Sequence, residues 1–151
     1  MKVSSFSEIE EEFIRRVHTM VWCSAATQDT LNRLRSRILH PIWEEATGWA
    51  GTRRHSLKAK HIAHNPYMSL AYIADVANPV YVDCTAEWAD DLSTKQRIWD
   101  MFKSFPPPLG FDYGRLFKSP EDPEFGLLKF TPWRIELFDI ANLENKKVWR
   151  T

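Results

Sequence analysis

The segment that decides the fold runs from Gly51 to Tyr72 and reads GTRRHSLKAKHIAHNPYMSLAY. Ser56 is a typical helix N-cap, and Asn65-Pro66 ends the helix because the residue before a proline avoids helical dihedral angles. Two arginines and a histidine precede Ser56, and Lys58 lies in the first turn. A cation is unfavourable there unless an anion is bound, because the helix dipole is positive at that end. The segment therefore raises the question of an anion site.

Phosphate binding and a solvated basic loop are both compatible with this segment. A helix N-terminus presents free N–H groups to a phosphate, and the Ser56 hydroxyl would either cap the helix or bind that phosphate. Arginine offers paired donors to phosphate oxygens, so Arg37, Arg53 and Arg54 are candidates to complete the site. The chain has no glycine-rich phosphate fingerprint. The residues alone leave the two interpretations open.

The bulk composition limits the class of protein. The chain of 151 residues carries 20 Lys and Arg against 20 Asp and Glu, which disfavours a general nucleic-acid binder. Cys23 and Cys84 form no CxxC pair, which favours free buried thiols in a reducing cytosol. The N-terminal residues lack the apolar core of a signal peptide, and no apolar run reaches membrane-spanning length. We therefore expect a cytoplasmic protein without a nucleic-acid or membrane partner.

Patterns outside the central segment predict a mainly β domain of the α+β class. Six strands are predicted, in MVWCSAAT, RLRSRILH, GWAGT, YMSLAYIAD, VYVDCTAEW and FGLLKFTPWRIELFDI. The last of these is either one bent strand or two strands, with the break at Pro132. One further helix begins at a Ser7–Glu10 capping box and ends near Thr19. Another, STKQRIWDMFKSF, is expected to bury Ile98, Trp99, Phe102 and Phe105. No repeat or long linker divides the chain, so residues 1–151 are predicted to form one barrel-like domain.

No pattern identifies a catalytic residue or a metal site. His61 and His64 are three residues apart on one helix face, but two histidines without an HExxH motif make a poor metal site. No GxSxG elbow or reactive cysteine context is present. The seven tryptophans fit a core and an interface better than a stacking platform for nucleic acid, since the charges around them are mixed. We therefore predict no bound metal and name no general acid or base.

Three segments read together resemble the pyridoxamine 5′-phosphate oxidase-like, FMN-binding split-barrel family. They are RILHPIWE, the Gly51–Tyr72 segment and LLKFTPWRIELFD, and the resemblance covers about Val21 to Asp139. Its most specific part is the block Ser-x-Lys-Ala-x-x-(Ile/Leu)-x-x-Asn-Pro-x-(Val/Met)-Ser-Leu, which begins at Ser56. The resemblance implies a six-stranded split β-barrel with short flanking helices. It also implies a homodimer that holds FMN in a cleft between its two subunits.

The resemblance also assigns roles to individual residues of this chain. Arg37 and Ile38 match the strand beside the flavin and its phosphate, and Ser56 and Lys58 match phosphate-contacting positions. Trp133 falls on a late strand in a region that borders the cofactor cleft. The implied cofactor-binding residues are Arg37, Ile38, Leu39, Thr52, Ser56, Leu57, Lys58 and Trp133.

The resemblance predicts an FMN-binding flavoprotein, an oxidoreductase that acts on an unidentified small molecule. One alternative is a deazaflavin-dependent reductase of the same fold, since Arg53, Arg54 and Lys60 suit a longer anionic coenzyme. Another is a non-catalytic, stress-related flavin-binding protein. True pyridoxamine-phosphate oxidases carry an arginine where this chain has Leu57, and their C-terminal substrate-binding segment has no counterpart before Thr151. We therefore expect negligible oxidation of vitamin B6 phosphates.

Overall fold

The computed structural model describes all residues from Met1 to Thr151. Its three α-helices are α1 (Glu10–Met20), α2 (Leu57–His64) and α3 (Leu92–Ser104). Its eight strands are β1 (Cys23–Gln28), β2 (Leu34–Leu39), β3 (Ile42–Glu44), β4 (Thr47–Arg53), β5 (Tyr67–Tyr72), β6 (Val80–Trp88), β7 (Phe125–Leu137) and β8 (Lys147–Arg150). Short 3-10 turns cover Phe6–Glu8, Tyr113–Arg115 and Leu143–Asn145. No helix combines the length with the apolar composition needed to cross a membrane.

The eight strands form one sheet that curls into a half-barrel. Its order is β2-β1-β5-β6-β7-β4-β3, with β8 paired to β7, and every pairing is antiparallel. The prediction of a mainly β fold with short helices is confirmed. The count of six strands is not confirmed, because β3 and β8 are added to the six predicted strands. With three and four residues, these two strands are too short to show a clear alternating pattern.

The long strand β7 is one bent strand rather than two. Its first half pairs with β4 and its second half with β8, while β6 pairs along its length. The β6–β7 register shifts between Asp83 and Cys84, which lie opposite Arg134 and Pro132. Trp133 is therefore the extra residue of a bulge and has no partner on β6. The bend falls at the predicted position because a proline cannot donate to the ladder.

The apolar core consists of two clusters. The larger joins α1 to the sheet and includes the fully buried rings of Phe13 and Phe130. The smaller joins α3 to β4 and β7. Three of the four α3 residues predicted to be buried lie in it, but Phe105 is exposed because α3 ends at Ser104.

The start of α1 differs from the sequence prediction. The Glu8 carboxylate, not that of Glu10, accepts hydrogen bonds from the backbone N–H groups of Ser4 and Ser5, over 2.8 and 2.9 Å. A 3-10 turn therefore precedes the helix, and α1 has no side-chain cap at Ile9. The sequence pattern misplaced this start because two overlapping serine–glutamate pairs satisfy the same spacing.

Candidate functional site

A groove opens where β2, β4 and the N-terminus of α2 meet. It consists of three adjoining recesses of about 360, 320 and 280 Å³, and Thr52 lines all three. Two larger recesses lie elsewhere, about 500 Å³ beside α1 and about 510 Å³ around Trp133. Much of the charge beside α1 is already compensated, since Glu12 pairs with both Arg16 and Lys147. The groove is the stronger candidate because it combines uncompensated cations with apolar walls.

The N-terminus of α2 forms the polar end of the groove. Ser56 is the N-cap, as predicted, and has extended backbone geometry, yet its side chain makes no capping hydrogen bond. Its Oγ is buried and has no hydrogen-bond partner. The first turn of α2 also contains no acidic side chain to offset the positive end of the helix dipole. A buried hydroxyl without a partner is costly, so an anionic ligand oxygen at this point fits the residues present.

Two cations without carboxylate partners lie beside Ser56. Lys58 donates from Nζ to Thr52 Oγ1 over 2.7 Å, and Arg37 donates from Nη2 to Thr27 Oγ1 over 2.7 Å. Neither cation has a carboxylate oxygen within 4.0 Å. Burial lowers the pKa of both groups, and the charge of Arg37 lowers the pKa of Lys58 further. The two cations therefore repel each other, and a bound anion would stabilise both charged forms.

The other end of the groove is apolar and largely aromatic. Its lining consists of Trp22, Ile38, Leu39, His40, Gly51, Thr52, Phe111, Tyr113 and Leu116. The Gly51 N–H donates to Tyr113 Oη over 2.9 Å, and a Cβ on Gly51 would lie 2.4 Å from that ring. Only glycine lets Tyr113 approach β4 this closely. His40 donates from Nε2 to the Leu109 carbonyl over 2.6 Å, which orients its ring beside Trp22. The groove thus suits a ligand with an anionic end and a flat apolar end.

The structure brings together seven of the eight residues that the family resemblance implied. Those that line the first recess are Arg37, Ile38, Leu39, Thr52, Ser56, Leu57 and Lys58. Trp133 does not join them within one chain, because it lies on β7 at a separate recess. Arg53 lines the second recess. Arg54, also a candidate for the anion, instead pairs with Asp90 over 3.0 Å and stacks on Trp88 at 4.4 Å.

Several residues of this region were not predicted as site residues, among them Phe111, Tyr113, Thr27 and His61. Phe111 and Tyr113 come from a Pro/Gly-rich segment, where two aromatic residues on either side of Asp112 were the only signal. Thr27 and His61 are buried behind Arg37, and His61 was considered only as a metal ligand. No three His, Cys, Asp or Glu side chains come together in a group that could hold a metal ion.

Comparison with solved structures identifies the fold. No family model matches the sequence, and no curated protein matches it. A solved structure from Clostridium acetobutylicum, a protein related to general stress protein 26 (pyridoxinephosphate oxidase family), has a TM-score of 0.72 at 14% identity. That match covers 95% of this chain and 94% of the other.

Two more solved structures support the same conclusion. A pyridoxamine 5′-phosphate oxidase-related, FMN binding protein from Nostoc punctiforme has a TM-score of 0.67 at 15% identity, covering 95% of this chain and 88% of that one. General stress protein 26 from Bacillus anthracis has a TM-score of 0.65 at 19% identity, covering 83% and 93%. The chain therefore has the fold of the pyridoxamine 5′-phosphate oxidase-related, FMN-binding proteins, as the three sequence segments predicted.

Proposed function

We propose that residues 1–151 form one FMN-binding domain and that the groove holds FMN with its phosphate at the N-terminus of α2. The buried Ser56 hydroxyl without a partner is the observation that carries this proposal. It shares a recess with Lys58 and Arg37, two cations that lack carboxylate partners. A phosphate would satisfy all three groups, whereas a merely solvated basic loop would leave the buried hydroxyl unpaired.

Each residue at the polar end would have a distinct task. Ser56 Oγ and the free N–H groups at the start of α2 would donate to phosphate oxygens. Arg37 would offer a paired set of donors, and Lys58 a single positive charge. Thr52 would orient the Lys58 ammonium through the hydrogen bond that already joins them. Leu57, which is exposed, would lie at the mouth of the recess.

We further propose that two copies of the chain associate and hold FMN at their interface. The apolar face of β2 is exposed at Leu34 and Ile38, by 78% and 67%. Exposed Leu57 and Leu116 lie beside the same groove. Apolar surface of this kind is usually covered by a partner. Trp133, at a separate recess of its own chain, would then contact the FMN held mainly by the second copy.

The proposed activity is that of an oxidoreductase acting on a small molecule. FMN, when bound, supplies the transfer of hydride or electrons, so the chain is required to bind and orient it. Ile38 and Leu39 would run beside the ring system, with the aromatic residues of the third recess excluding water. No aspartate or glutamate lines any of the three recesses, so no carboxylate is placed there as a general base.

A deazaflavin coenzyme is the second candidate ligand. Arg35 and Arg53 line recesses at the polar end and pair with no carboxylate, so a longer anionic tail would find two more cations. A non-catalytic flavin-binding role is the third candidate, and it uses the same groove.

The cytoplasmic location remains a prediction from the sequence.

The absorption spectrum of freshly purified protein tests the proposal, together with the mass of any compound released on heating. We expect a flavin spectrum and the mass of FMN. Release of a deazaflavin would favour the second candidate. A colourless protein that also fails to bind added FMN would overturn the proposal. Reduction of the bound flavin by NADH, NADPH or a reduced deazaflavin then separates an oxidoreductase from a non-catalytic carrier.

A further inference from the structure

A buried threonine and a buried histidine stand directly behind Arg37. Thr27 is only 1% exposed and His61 only 2%. Arg37 reaches inward from β2, donating from Nη2 to Thr27 Oγ1 over 2.7 Å and from Nη1 to the Ala25 carbonyl over 3.3 Å. His61, on α2, places its Nδ1 2.9 Å from the same Thr27 oxygen. Two strands and a helix therefore converge on one guanidinium.

The directions of these hydrogen bonds follow from the groups involved. A guanidinium only donates, so the Thr27 oxygen accepts from Arg37 and its own hydrogen is left for His61 Nδ1. The Thr27 oxygen can accept twice, so the position of the Arg37 donor decides the tautomer: we assign His61 Nδ1 as an unprotonated acceptor, with the ring proton on Nε2. A proton on Nδ1 would face the Arg37 Nη2 donor at 3.4 Å. The geometry therefore defines a relay from Arg37 through Thr27 to a neutral His61.

The charges around His61 also favour its neutral form. Burial lowers its pKa, and the charges of Arg37, Arg35 and His64 lower it further. Asp29 is the one neighbour whose charge raises it. Asp29 itself forms a salt bridge with Arg33, whose Nε lies 2.9 Å from Asp29 Oδ2. The acceptor that the relay requires is thus available at neutral pH.

We propose that Thr27 and His61 are positioning residues, which fix the Arg37 guanidinium and thereby set the preference for phosphorylated over unphosphorylated flavin. This inference rests on the proposed function of the groove. Arg37 donates one N–H group to Thr27 and one to Ala25, which leaves the other N–H groups of its guanidinium free to donate to a ligand. A long side chain that is already ordered loses less entropy on binding. Neither positioning residue contacts the phosphate itself in this scheme.

The test compares FMN and riboflavin affinities, measured by flavin fluorescence, across three variants. Thr27→Val removes the hydroxyl at nearly constant volume, and His61→Phe removes the acceptor. Both are expected to weaken FMN binding about threefold to tenfold, the size of one net hydrogen bond, and to leave riboflavin binding unchanged. Thr27→Ser keeps the hydroxyl, so it should retain the affinity of the parent for FMN. Thermal unfolding confirms that each variant is folded.

Several outcomes would overturn the inference. Folded Thr27→Val and His61→Phe proteins that bind FMN like the parent would refute it, and so would equal losses for FMN and riboflavin. In both cases the parent still prefers FMN, so the proposed phosphate site survives. A parent protein that binds FMN no more tightly than riboflavin would instead refute the phosphate site, and the positioning role with it.

A second measurement requires no cofactor and tests the relay itself even if the variants do not fold. Nitrogen-15 NMR of the imidazole rings in the unliganded parent reports which nitrogen of His61 carries the proton. We expect a neutral ring protonated at Nε2, with Nδ1 accepting from Thr27. A proton on Nδ1 at neutral pH would refute the relay.

Discussion

Removing one of the two uncompensated cations beside Ser56 should weaken FMN binding while leaving the free energy of unfolding almost unchanged. In the unliganded protein Lys58 and Arg37 repel each other, and burial disfavours both charges. Lys58→Ala deletes one hydrogen bond, to Thr52 over 2.7 Å, worth about 0.5–1.5 kcal/mol. It also relieves the repulsion, which acts in the opposite direction. We therefore expect the free energy of unfolding to change by less than about 1 kcal/mol.

Binding of FMN should respond far more strongly than stability. A charge-assisted hydrogen bond to phosphate contributes about 1.5–3 kcal/mol, so Lys58→Ala and Arg37→Ala should each weaken FMN binding about tenfold to hundredfold. Riboflavin has no phosphate and should bind both variants almost as it binds the parent. Fluorescence titration with each flavin, and urea unfolding of the same samples, measure both quantities.

Lys103→Ala is the matched control. Lys103 is an exposed cation in the last turn of α3, outside the three recesses. The Lys103→Ala substitution changes the net charge by the same amount as Lys58→Ala, and it should leave the FMN affinity at the value of the parent. Unchanged FMN affinity in Lys58→Ala would refute the reasoning, as would equal losses of FMN and riboflavin. A loss in Lys103→Ala as large as that in Lys58→Ala would show that only net charge matters.

Three other properties follow from the same structure. The protein should sediment as a dimer at micromolar concentration, and a species of 17.7 kDa would contradict the shared cleft. Burial lowers the pKa of His18, His40 and His61 below the ordinary value of 6.5. The unfolded chain therefore binds more protons below about pH 6.5, so the free energy of unfolding should fall as the pH drops. Identical urea midpoints at about pH 7.5 and about pH 5.5 would contradict this linkage. Oxidation of pyridoxamine 5′-phosphate should be negligible even with FMN bound, because Leu57 stands where the true oxidases carry an arginine and so removes one charged partner of the substrate phosphate. Robust release of hydrogen peroxide and pyridoxal phosphate would refute that expectation.

Local signals account for what the sequence predicted correctly. α2 begins after Ser56 and ends before Asn65-Pro66, because each of these residues restricts its own backbone. The strands β1, β2, β5 and β6 are long enough for their β-prone residues to be recognised in the sequence, and turn-forming residues mark their ends. The residue pattern named Ser56, Lys58 and Arg37 as candidates for binding an anion, and the family resemblance implied that they lie together, as they do in the first recess.

Contacts between distant parts of the chain explain what the sequence did not predict. The aromatic end of the groove depends on Tyr113 packing against Gly51, 62 residues earlier. Arg54 does not line the groove because it contacts Asp90 and Trp88, which the end of β6 and the following turn place beside it. Neither contact has a signature within a short window of sequence.

A crystal structure of the protein with FMN tests the central claim most directly. The account predicts a phosphate oxygen within hydrogen-bonding distance of Ser56 Oγ, about 2.5–3.0 Å, with Lys58 and Arg37 as further donors. The ring system should lie toward the recess that contains Trp22 and Tyr113. A flavin phosphate bound elsewhere, with Ser56 Oγ still unpaired or bonded only to water, would contradict the account.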